Sequence, residues 1–148
     1  MTDSYELVII NELTELRRMS EWLQHSCDIM KVPKSLSLNF DLAANEAVAN
    51  IIQNAYQDQN NHEIYLRLEC KSNSVICLTI QDDGMAFNPF DVIPPTPFDT
   101  LENAKIGGLG IHLICNTMDG CHYHRHNNKN IITLCANLMP TSNLNYPL

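Results

Sequence analysis

Apolar positions along the chain recur in two periods. Residues 5–10 are rich in β-formers and predict a first strand. Leu13, Leu16, Met19, Trp22 and Leu23 then fall at helical spacing, with Asn11 or Thr14 as candidate caps and Pro33 as the stop. A second helix is predicted over about 41–57. Ile64, Leu66, Leu68 and Cys70 alternate with polar residues, as do Ile76, Leu78 and Ile80, which predicts two strands joined by a turn at 71–74. Pro89, Pro94, Pro95 and Pro97 mark a long loop over about 88–105, and loops of that length in compact domains are lids or disordered segments. A short helix is expected to open at Gly107-Gly108-Leu109-Gly110 and to run to about Met118. Two last strands are predicted near 121–126 and 130–137. No internal repeat interrupts this order, so the expectation is a single domain over 1–148 built as a two-layer α/β sandwich.

Composition narrows the class. The 148 residues are 45% hydrophobic and 18% charged, enough for a buried core and unlike disordered or low-complexity chains. Seventeen acidic residues against nine basic give a net charge of −8, and no Lys/Arg run is present, which argues against a nucleic-acid partner. Residues 1–12 carry Asp3, Glu6 and Glu12 without a basic segment before an apolar core, against a secretory signal. No apolar stretch approaches the ~20 residues of a membrane span. A soluble, cytoplasmic protein is therefore expected. Its six cysteines form no C-x-x-C pair and are expected as small apolar residues rather than disulfides. His122, His124 and His126 would share one strand face. Lacking a further ligand at a recognisable spacing, they read as a polar, partly exposed face rather than a zinc site.

Three segments carry candidate chemistry. In the second helix Glu46, Asn50 and Asn54 are spaced i, i+4, i+8 and form one stripe beside the apolar Ala47, Val48, Ile51, Ile52 and Ala55. A carboxamide oxygen suits Mg²⁺, a hard cation that shares itself with phosphates and waters. A Glu one turn away is placed to accept a proton from a nucleophile. The same stripe is equally an ordinary solvated helix edge. Asp82, leaving a strand before Gly84, is either a simple turn residue or an acceptor offered to the amino group of a base. The Gly107–Gly110 tetrapeptide before a helix is either a hinge or a cradle of backbone N–H groups for phosphates. It is no Walker loop, since no Gly-Lys-Ser/Thr follows.

In order and spacing the three segments resemble the N, G1 and G2 boxes of the GHKL ATP-binding superfamily, and more closely its anti-sigma-factor serine kinases of the RsbW type. The helix matches E-A-V-x-N-x-x-x-H/N-A-Y from Glu46 to Tyr56, D-x-G-x-x-F is met by Asp82, Gly84 and Phe87, and G-G-L-G-I-x-L-I is met from Gly107 to Ile114. The likeness extends from the first strand to about Leu138. It implies the Bergerat ATP-binding fold, a mixed, mostly antiparallel sheet with helices on one face, and it implies Mg-ATP as cofactor. Carried over by position, Glu46 is the general base and Asn50 the Mg²⁺ ligand, with Asn54 beside them. Asp82 accepts from the adenine amino group, with Gly84 beneath the ring and Thr133 nearby. Ala86 and Phe87 complete the G1 box, and Lys105, Gly107, Gly108, Leu109, Gly110 and Ile111 surround the triphosphate. Ala86 departs from the glycine that many members carry there, which bears on hinge mobility rather than on nucleotide binding.

The resemblance further implies phosphoryl transfer from ATP to a serine or threonine of a STAS-type anti-anti-sigma factor, and sequestration of a sigma factor. Arg17 and Arg18 on the first helix are candidates for gripping an acidic partner, against the plainer reading of a solvated helix face. A homodimer through the first-strand face is also implied. The alternative is an ATP-gated binding switch with little or no turnover. The ATP-binding half of a sensor histidine kinase fits less well, because His25 is followed by Ser26 and Cys27 rather than by an acidic residue and Pro.

Overall fold

The computed structural model describes residues 3–72, 74–91, 111 and 115–138. The chain opens with β1 (Ser4–Ile10), then two helices, α1 (Glu15–Ile29) and α2 (Lys34–Asn54). Two strands follow, β2 (Glu63–Lys71) and β3 (Val75–Asp82), and the described part ends with β4 (Gly120–His126) and β5 (Lys129–Asn137). The strands form one sheet in the order β1-β2-β3-β5-β4, and every pairing is antiparallel. The sheet expected as mixed is thus antiparallel throughout its described strands.

Strand alternation decides what each face carries. Ile9, Leu66, Leu68, Ile76, Leu78, Ile80 and Leu134 are fully buried and share the face covered by the helices. Met19, Leu23 and Cys27 of α1 and Phe40, Ala43, Ala44 and Val48 of α2 close the core from the other side. The run of alanines lets α2 lie close to the sheet. Fully burying one such leucine or isoleucine contributes about 1.5–3 kcal/mol. Among the described residues no helix is long and apolar enough to cross a membrane.

Two expectations change. Pro33 does not stop the first helix, which has already ended at Ile29, with Lys31 at φ 59 turning the chain. Instead Pro33, at φ −53, is the N-cap of α2, whose φ is preset for a helix start, so α2 begins at Lys34, well before the expected residue 41. The cysteine reading also fails for one pair. Cys77 of β3 and Cys135 of β5 face each other in register, Cα atoms 4.2 Å apart, and form a disulfide on the helix-free face. Cys27, Cys70, Cys115 and Cys121 are free. His122, His124 and His126 are exposed on β4, on that same outer face. The expected short helix after the glycines, and most of the expected loop, lie outside the described residues, apart from a 3-10 turn at Pro89–Asp91 and the buried Ile111.

Candidate active site

The C-terminal half of α2 and the end of β3 enclose a pocket. Ala47, Ile51 and Ala55 form its helix wall, Ile132 of β5 its sheet wall, and Met85, Ala86, Phe87 and Pro89 its rim. Among the described residues polar groups enter at two places, Asp82 with Asn130 on the floor, and Asn50 with Asn54 along α2. An apolar slot with few convergent polar groups suits a flat ring that carries hydrogen-bonding edges.

Asp82 is the last residue of β3, and its parity matches that of Ile80 and Leu78, so it points beneath the helix layer and is only 3% exposed. Its Oδ1 accepts from Gly84 N at 2.9 Å and from Asn130 Nδ2 at 3.0 Å. Oδ2 takes part in neither bond and is the acceptor left for a ligand. Burial pushes the carboxyl above its usual range, and the Asn130 and Gly84 donors pull the other way.

Gly84 plays a different part from the one expected. A Cβ there would come within 2.5 Å of Ala55 Cβ and 2.8 Å of Ala55 O. Met85 N donates to that same Ala55 carbonyl at 2.9 Å. The glycine therefore packs the G1 turn against the end of α2 and does not line the pocket. Ala86 and Phe87 do line it, with Phe87 half exposed.

On α2 the expected stripe forms. Asn50 and Asn54 line the pocket, and Asn54 Nδ2 donates to the Asn50 carbonyl at 3.2 Å. Glu46 stands one turn before Asn50. Its Oε1 is buried without a hydrogen-bond partner among the described residues, and burial raises the carboxyl above its usual range. An unsatisfied buried acceptor costs about 1–3 kcal/mol and so calls for an explanation. An acceptor of raised basicity beside a carboxamide oxygen fits a proton acceptor next to a hard cation. The donor set is therefore consistent with Mg²⁺ at Asn50, and the slot above Asp82 with adenine.

Thr133 does not join the site. In β5, Asn130, Ile132 and Leu134 face the helices, so Thr133 points to the outer face, where it pairs with Thr79. The position beside Asp82 belongs instead to Asn130, which sequence reasoning left out of the site. Strand parity was the available signal, since 130, 132, 134 and 136 are the inward positions. Lys105, Gly107, Gly108, Leu109 and Gly110 lie outside the described residues, and Ile111 is part of the core. Arg17 pairs with exposed Glu21 at 3.2 Å. Arg18 is engaged within the fold, donating to Glu15 at 2.6 Å and to the Val8 carbonyl at 2.9 Å, which ties α1 to β1.

An antiparallel sheet layered with helices on one face, with a carboxylate-floored slot at one end, is a two-layer α/β sandwich with room for a flat ring. The chain belongs to the histidine kinase-like ATPase domain family, whose model matches residues 9–136. It is 28% identical over 141 residues to serine/threonine-protein kinase BtrW of Bordetella bronchiseptica, covering 95% of this chain and 97% of that protein. It is 29% identical over 89 residues to serine-protein kinase RsbW of Bacillus subtilis, covering 57% of this chain and 55% of that protein. Among solved structures, the histidine kinase domain of the Erythrobacter litoralis EL346 blue-light activated histidine kinase superposes with a TM-score of 0.57 at 16% identity. That likeness covers 81% of this chain and 61% of that one, and it speaks for the fold alone.

Proposed function

We propose that the chain is an ATP-dependent serine/threonine protein kinase that acts as an anti-sigma regulatory factor. It phosphorylates a STAS-type anti-anti-sigma factor and sequesters a sigma factor, as one cytoplasmic domain over 1–148. The observation that carries the kinase reading is the orphaned, buried Oε1 of Glu46, one turn from Asn50, which lines a pocket floored by Asp82. Membership of an ATPase family and relatives named as protein kinases support it.

In this reading Asp82 Oδ2 accepts from the adenine amino group, while Ile51, Ala55 and Ile132 exclude water from the ring. Asn50 would hold Mg²⁺ through its carboxamide oxygen, and the bound ion would neutralise phosphate charge. Glu46 takes the proton from the attacking hydroxyl as that oxygen bonds to the γ-phosphorus and the bond from the γ-phosphorus to the β-phosphate oxygen breaks, releasing ADP. Its raised basicity suits the task, because a base works best with a pKa drawn toward the working pH. Arg17, whose pairing is confined to the surface, is the better placed of the two arginines for an acidic partner.

Incubation with labelled ATP, Mg²⁺ and a STAS-domain protein tests the reading. Label on a serine or threonine of the STAS protein is expected. Tight ATP binding with no transfer would leave the protein an ATP-gated switch and defeat the kinase reading.

A further inference from the structure

Asn130 is 3% exposed and uses every polar atom of its side chain. Its Oδ1 accepts from three donors: Tyr123 OH at 2.6 Å, Arg125 Nη1 at 3.0 Å and Phe87 N at 3.3 Å. Its Nδ2 donates to Asp82 Oδ1 at 3.0 Å and to the Met85 carbonyl at 2.7 Å. Arg125 Nη1 also donates to the Gly84 carbonyl at 3.1 Å.

This arrangement permits one orientation of the amide. Turned over, the NH₂ group would meet Arg125 Nη1 and Phe87 N, which can only donate, and the oxygen would meet the Asp82 carboxylate and a carbonyl. The contacts with Arg125, Phe87, Asp82 and Met85 would be lost together. Tyr123 and Arg125, both on β4, therefore hold Asn130 with its NH₂ toward Asp82. That bond spends Oδ1 of Asp82 and fixes the carboxylate plane, leaving Oδ2 to the pocket. The Met85 and Phe87 contacts fix the backbone at the rim in the same step.

We infer that Asn130, oriented by Tyr123 and Arg125, is a positioning residue that sets Asp82 for discrimination between a 6-amino and a 6-oxo purine. The inference rests on the reading of the pocket as an adenine site. A carboxylate accepts from the amino group of adenine and repels the 6-oxo group of hypoxanthine, so a well-held Asp82 favours ATP over inosine triphosphate. A loosened Asp82 discriminates less, because it can turn away from the oxo group.

The test is the ratio of ATP to inosine triphosphate dissociation constants, measured by calorimetry on the full chain. Asn130→Ala is expected to lower this ratio's preference for ATP about tenfold, the size of one net hydrogen bond to a charged group, mainly by weakening ATP. Tyr123→Phe and Arg125→Gln, which leave Asn130 in place, are expected to shift it the same way by a smaller factor. They keep the inference testable if Asn130→Ala fails to fold. Equal weakening of both nucleotides, or an unchanged ratio in all folded variants, overturns it by leaving the network a purely structural role. A wild type that binds both nucleotides alike would instead overturn the adenine reading of Asp82, a failure visible before any variant is made.

Discussion

Asp82 and Glu46 are both carboxylates drawn out of water, and they differ in how their charge is met. Asp82 has two N–H donors on one oxygen, whereas Glu46 has a buried oxygen with none. The first arrangement suits a fixed acceptor and the second a group whose protonation changes. The stripe that holds Glu46, Asn50 and Asn54 was legible in the sequence because one helical period places them. Asn130 was not, because its partnership with Asp82 depends on strand register across 48 residues. The nearby Thr133 has a hydroxyl but the wrong parity. Gly84 gives a sharp local test. A methyl group there meets Ala55 Cβ and O well inside contact distance, so Gly84→Ala is expected to destabilise the fold by about 1–3 kcal/mol, read from denaturant unfolding. An unchanged midpoint would show that the G1 turn does not pack on α2 as described.

At the scale of elements, α2 is the organising piece. Its buried face builds the core and its C-terminal half builds the pocket wall. Its start escaped the sequence reading because Lys34, Ser35, Ser37 and Asn39 break the apolar periodicity. The structure explains them locally: Ser37 Oγ and Lys34 Nζ both bond Gln24 Oε1 of α1. At the other end of α2, His62 fastens the entry of β2 to the exit of β3. Its Nε2 meets Asp58 at 2.7 Å, its Nδ1 meets Asp83 at 3.3 Å, and its ring stacks on Tyr56 with centroids 4.1 Å apart. Asp58, and then Asp83, raise the imidazole above its ordinary 6.5, while His62 lowers Asp58. The raised imidazole contributes stability that is full below 6.5 and fades as pH rises through the higher folded value. The lowered Asp58 contributes above its ordinary value and fades as pH falls through the lower one. An NMR titration of His62 is expected to show a midpoint above 6.5 that returns toward 6.5 in Asp58→Asn. A wild-type midpoint at or below 6.5 would contradict the clamp.

For the molecule as a whole, the hydrophobic pattern placed every described strand, and the covered face followed from alternation. The disulfide was not legible, since Cys77 and Cys135 are 58 residues apart and only the β3–β5 register brings them together. A bridge closing a loop of that length is worth up to about 4 kcal/mol in the chain-entropy account. Reduction is expected to lower the unfolding midpoint of the wild type and to leave that of Cys77→Ser unchanged. Equal midpoints for oxidised and reduced wild type would count against the bridge. The charge of −8 also gains a meaning. No Lys or Arg falls inside any of the three motifs, so the proposed site relies on backbone N–H groups and Mg²⁺ to hold phosphate, with Lys105 the cation next in sequence to the glycine motif.

The central claim is that Glu46 acts on a proton and not on the nucleotide. Single-turnover phosphate transfer from ATP to a STAS-domain partner, with ATP affinity measured alongside, tests it in Glu46→Gln. Transfer is expected to fall by about 10²–10⁴-fold, the usual contribution of a positioned general base, with affinity for ATP nearly unchanged. Transfer at the wild-type rate, or a parallel loss of binding and transfer, would contradict it.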